Sequence, residues 1–154
     1  MMDRTQMIEK IRALPDQLAA KVKGLSAEQL TTPYNTGEWT VAQNIHHLAD
    51  THMNCFRRFK LILNTDDYTF ISLYVDKLAA MPDGNNADIE DSLLILRGLH
   101  RRWCILMENM AEADWSRSGT HPERGAQTLD HLLQVYSQHG ENHLQQIQEV
   151  LDKM

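Results

Sequence analysis

Apolar positions recur along this chain at helical spacing in four long segments, while the period-two alternation of strands is almost absent, so the pattern predicts an all-α fold. The first segment runs from about Arg4 to Lys23, with Met7, Ile8, Ile11, Leu14, Leu18 and Val22 on one stripe. Gly24 closes it, and Pro15 is where a kink is expected. A turn at Ser26–Leu30 leads past Pro33 and Gly37 to Trp39. The second helix then opens on Thr40 as N-cap, with Gln43 three residues later as in a capping box. It continues to about Leu63 and buries Val41, Ile45, Leu48, Phe56, Phe59 and Leu63.

The third helix spans roughly Asp88 to Met110, with Ile89, Leu93, Leu96, Leu99, Trp103 and Leu106 inward. The fourth begins near Thr128, an N-cap with Asp130 in the first turn, and runs almost to the C-terminus. The connection from Asn64 to Asn86 holds Asp66, Asp67, Pro82, Asp83 and Gly84 and reads as irregular; its length is that of a functional lid. A second connection carries Gly119, His121-Pro122 and Gly125. Leu25–Leu30 and Met110–Trp115 each follow a long helix and resemble one another, a weak sign of a paired-helix repeat. Together these elements predict a four-helix bundle, whose interior commonly holds ligands from facing helices.

The bundle is the right size for one domain, residues 1–154, with a core that needs no disulfide or metal staple. Any metal would then serve function. The net charge of −6 and the lack of a Lys/Arg cluster argue against nucleic acid as a partner. No apolar run reaches the roughly 20 residues that span a bilayer, and the first residues lack a signal-peptide core, so no membrane association is expected and a cytoplasmic protein is. Cys55 and Cys104 fall mid-helix and read as reduced and buried.

On the fourth helix the stripe Leu129, Leu132, Leu133, Tyr136, Ile147 and Val150 includes His139 and His143, four residues apart on one face. Inward imidazoles need hydrogen-bond partners or a metal. A zinc-class ion wants at least three protein ligands, so a third must come from elsewhere. His47, at the edge of the second helix's stripe, suits a ligand facing a cleft; His52, on the apolar side, fits a core or supporting role, and spacing favours His47 only slightly. His46 points away toward solvent. Asp50, one turn after His47, either accepts that ring's second proton or is an exposed charge. Glu141 faces away from the pair. Trp39, Trp103 and Trp115 read as core or cap-packing residues.

Gly37–Asn54, Arg58-Phe-Lys-Leu61, Gly98–Trp103, His121-Pro-Glu123 and Tyr136–His143 resemble the DinB-like superfamily, in its YfiT-like branch. The resemblance implies a four-helix bundle in which His47, His139 and His143 bind a divalent metal, zinc or nickel among the first-row ions. It also implies a homodimer. Two departures are visible: Asn142 stands where many relatives carry histidine, and Ser72-Leu-Tyr74 replaces a Lys-Pro-Tyr-like phrase.

Members of this branch are described as metal-dependent hydrolases or as S-transferases that join bacillithiol to electrophiles; more distant relatives use mycothiol. The resemblance therefore implies either a thiol S-transferase with bacillithiol as co-substrate or a hydrolase of a small acyl or amide compound. An ion on three neutral imidazoles acidifies a bound thiol or water, which suits both. Arg58 or Arg57 either binds bacillithiol's carboxylates or is solvated or salt-bridged, and His121 either shuttles a proton in hydrolysis or only shapes a turn. A non-catalytic metal-binding stress-response module is the third reading.

Overall fold

The computed structural model describes residues 3–154. Four long helices appear where the apolar stripes predict them: α1 Arg4–Val22, α3 Val41–Asn64, α5 Glu90–Glu108 and α6 Leu129–Leu151. The short helices α2 Ala27–Thr31 and α4 Val75–Ala79 lie between them. Both α1 and α3 pack against α5 and α6, which sets α1 and α3 at opposite corners of the bundle.

Local chemistry accounts for the boundaries. The Thr40 side chain accepts from the Gln43 N–H while the Gln43 side chain accepts from the Thr40 N–H, and Asp3 with Gln6 and Ser26 with Gln29 repeat that box at α1 and α2. Thr128 caps α6 through the His131 N–H. Gly24, at φ +81, follows the end of α1 in the left-handed region that glycine tolerates. The helix continues through Pro15.

The structure departs from expectation in the connections. The 64–86 connection contains α4, and the segment before α6 folds into an antiparallel hairpin of β1 Ser118–His121 and β2 Gly125–Thr128. Such short strands show no readable alternation. Phe70 N–H donates to the Thr120 carbonyl at 2.9 Å and Thr120 N–H to the Tyr68 carbonyl at 2.8 Å, so the long connection is stitched to the hairpin. A side chain at Gly119 would collide with Phe70 and the Tyr68 carbonyl, so only glycine fits that crossing.

The core forms two apolar clusters, one around Ile8, Phe59, Trp103 and Leu133, the other around Leu18, Ile45, Leu48, Leu96 and Ile147. Each fully buried Leu or Ile contributes roughly 1.5–3 kcal/mol. Along α3, α5 and α6, His52, His100, His139 and His143 fall between the stretches that feed the two clusters. Among the described residues no helix is long and apolar enough to cross a membrane.

Candidate metal centre

The α3 and α6 helices face each other through that polar layer and bring His47, His139 and His143 together, with one ring nitrogen of each within 4.8 Å of the others. His139 Nε2 lies 3.2 Å from His47 Nε2 and 3.1 Å from His143 Nε2. For metal–nitrogen bonds of about 2.0–2.1 Å, ligand nitrogens stand roughly 2.9 Å apart at right angles and roughly 3.3 Å apart in a tetrahedron. The two spacings to His139 fall between these limits, and His47 and His143 stand within 4.8 Å of each other. All three predicted ligands are therefore brought together, and His52 is not among them.

Asn44 decides the state of His143. Its Nδ2 donates to the Thr40 carbonyl at 2.9 Å, so its Oδ1 must face His143 Nδ1, 2.7 Å away, and accept that ring's proton. The Nε2 of His143 is thereby left as a lone pair aimed at the other two rings. Burial keeps the rings neutral: it lowers His47 and His143 to about 4 and His139 to about 3, with repulsion from His143 adding to the effect at His47 and repulsion from His143 and His47 adding to it at His139. Three neutral imidazoles with converging nitrogens are a donor set suited to a divalent ion. His47 Nδ1 is buried without a partner, so Asp50 does not serve it.

The rings form one wall of a cavity of about 760 Å³. Trp39 stands over it, stacked on His143 with ring centres 6.1 Å apart and edge-on to His47 at 4.6 Å. It lines the site rather than simply packing a core or a cap. Arg58, His121 and Arg124 line the same cavity, whereas Arg57 is exposed outside it. Arg58 is 8% exposed; its Nη2 donates to the Ile71 carbonyl at 3.0 Å and its guanidinium lies 4.5 Å from the centre of the Phe70 ring. No carboxylate pairs with it among the described residues. The Nδ1 of His121 accepts from the Glu123 N–H at 3.2 Å, which in the neutral ring puts the proton on Nε2.

The structure also places the remaining candidates. His46 is not simply solvated: its nitrogens meet Ser92 Oγ at 2.8 Å and the Asn86 carbonyl at 2.9 Å, fastening the end of the long connection. His52 is fully buried and bonds to His139 and His100. Glu141 lies off the site and pairs with Lys10 at 2.6 Å. Cys55 and Cys104 are free and buried, and burial raises both thiols, Cys104 to about 11, which keeps them protonated. Asn142 is exposed and accepts from Gln138, so that departure leaves the centre untouched; Leu73 of the altered phrase does line the cavity.

The profile of the DinB superfamily matches residues 10–147. The chain belongs to the DinB superfamily. Among its relatives, a Geobacillus thermodenitrificans protein is 45% identical over 147 residues, covering 94% of this chain and 82% of its own, and bears the name "Putative metal-dependent hydrolase". A Bacillus mycoides protein of the same description is 36% identical, covering 96% and 84%. The structure of YfiT from Bacillus subtilis, described as a probable metal-dependent hydrolase with an unusual four-helix bundle topology, superposes with a TM-score of 0.91 at 33% identity, covering 96% of this chain and 85% of that one. A mycothiol-dependent maleylpyruvate isomerase, at TM-score 0.60 and 14% identity over 95% and 61% of the two chains, shares the fold.

Asn44, Trp39 and His100 were missed as contributors to the site. Asn44 lies one helical turn before Leu48 on the buried side of α3, where an amide has to find partners; that was the one readable signal.

Proposed function

We propose that this protein is a divalent-metal-dependent thiol S-transferase, joining an anionic low-molecular-weight thiol of the bacillithiol type to small electrophiles. The observation that carries this reading is the buried Arg58, without a carboxylate partner among the described residues, in the cavity that the three histidines line. A guanidinium in that position favours a bound carboxylate, which bacillithiol possesses. His47, His139 and His143 would hold zinc or nickel, and the ion's chemical contribution is to acidify a thiol at neutral pH. Arg58 and Arg124 then orient the thiol by its acidic groups, while Trp39 and Leu73 shape the space for the electrophile. No protein base has to abstract the thiol proton in this scheme, and among the described residues no carboxylate hydrogen-bonds to the three rings. The same reading keeps the protein a cytoplasmic homodimer acting on small molecules.

Conjugate formation from bacillithiol and a chloro- or epoxide electrophile, followed by mass spectrometry with zinc, with nickel and after chelation, tests the proposal. Metal-dependent product is expected. No rate above the uncatalysed background with either ion would overturn it.

His121 favours a second reading. With its proton on Nε2 it can donate to the leaving group of an acyl or amide substrate in the same cavity, in keeping with the names of the relatives. Metal-dependent release from ester and amide panels, lost in His121→Gln, would select hydrolysis. Metal binding with neither activity would select the non-catalytic module.

A further inference from the structure

Behind His139 the hydrogen bonds continue away from the cavity. His139 Nδ1 lies 3.2 Å from His52 Nε2, His52 Nδ1 lies 2.9 Å from His100 Nε2, and His100 Nδ1 lies 2.6 Å from the Ile11 carbonyl. The chain thus takes one residue from each long helix. His52 and His100 are 0% and 1% exposed, so solvent neither ends nor interrupts it.

The terminus fixes the direction of every bond. A carbonyl can only accept, so His100 Nδ1 carries a proton and donates it to Ile11. In a neutral ring His100 Nε2 is then an acceptor, and His52 Nδ1 has to donate. By the same step His52 Nε2 accepts from His139 Nδ1, and His139 Nε2 is left as a lone pair. Because the chain ends on a buried carbonyl it has no route for passing a proton to solvent, and its effect is orientational.

The Ile11 carbonyl is available for a reason written into α1. A carbonyl inside a helix normally accepts from the N–H four residues on, and here that residue is Pro15, which has none. The vacancy that proline creates is taken by His100.

We propose that His52 and His100, anchored on the Ile11 carbonyl, are positioning residues that fix His139 in its Nδ1–H tautomer and hold its Nε2 toward a divalent ion. This rests on the metal reading above. Asn44 does the same for His143 by a separate route, so two of the three rings have their free nitrogens set by the protein before any ion arrives. His139 Nε2 and His143 Nε2 then present two lone pairs to each other at 3.1 Å, an arrangement that a cation between them relieves.

The test has two arms. In the metal-free protein with 15N-labelled histidine, long-range 1H–15N NMR spectra report which nitrogen of each ring is protonated; Nδ1–H is expected for His139, His52 and His100. An Nε2–H tautomer at His139 would overturn the proposal. This arm reads the chain even if the wild type takes up no ion, an outcome that would sink the metal reading alone. In the second arm, zinc affinity is measured by chelator competition. His52→Leu is expected to weaken binding about 10–100-fold, and His52→Gln, whose carbonyl can still accept from His139, to recover most of it. Equal losses in the two variants, both shown to be folded by circular dichroism, would mean that His52 only fills space, and unchanged affinity in His52→Leu would likewise overturn the role assigned to it.

Discussion

Pro15 and His100 are joined through a single atom: the Ile11 carbonyl, deprived of its helical donor by the proline ring, accepts from His100 Nδ1 at 2.6 Å. A residue that usually costs about 3 kcal/mol inside a helix is here the complement of a buried imidazole on another helix. In Pro15→Ala the amide introduced at position 15 competes for that carbonyl. The His100 Nδ1–H proton resonance should move upfield as its hydrogen bond lengthens; an unchanged resonance would show that the proline is incidental.

Removing a ligand should remove the ion. Wild-type protein purified without an affinity tag is expected to carry about one zinc or nickel per chain by elemental analysis, and His143→Ala less than about a tenth of that. Retention of a full equivalent in the variant would place the ion elsewhere.

Asn44 offers a sharper comparison. Asn44→Leu deletes the acceptor for His143 Nδ1–H and should cost about 10–100-fold in zinc affinity, whereas Asn44→Asp keeps an acceptor oxygen and should retain most of it. Similar affinities for both variants would contradict a role for that bond.

The histidine layer makes stability depend on pH with a definite sign. Burial lowers His47, His100 and His143 from 6.5 to about 4 and His139 to about 3, and it depresses His52 as well. Between about 4 and 6.5 the unfolded chain therefore binds more protons than the folded one, so stability is full above about 6.5 and is lost as pH falls toward 4. Thermal melts of the metal-free protein should show Tm falling across that window. A flat profile would mean that the rings are more hydrated than the structure indicates.

Arg58→Met should raise KM for an anionic thiol about tenfold or more, the scale of one charge-assisted hydrogen bond, with a smaller change in kcat. The same variant should treat an uncharged thiol such as 2-mercaptoethanol as the wild type does. An equal loss for both thiols would remove Arg58 from thiol recognition.

Much of the architecture could be read directly because helices announce themselves locally. The stripes of α1, α3, α5 and α6, the Thr40–Gln43 box and the Thr128 cap all lie within a few residues of the structure they specify. The spacing of His139 and His143 is local in the same sense. The hairpin Ser118–Thr128 was not legible, since strands of four residues are too short to show a period and are held by a cross-link to Tyr68 and Phe70.

What the chain determined by itself was therefore the set of amphipathic helices and the paired imidazoles, to which resemblance added His47 as an expected third ligand. Tertiary structure alone decided what surrounds them: that Asn44 sets His143, that Trp39 covers two of the three rings, that Arg58 is buried in their cavity, and that Ile11, His100 and His52 stand in line behind His139. The reason is physical. A helical period reports which face a residue occupies, but the partner of a buried polar atom depends on which helices become neighbours and at what height they cross.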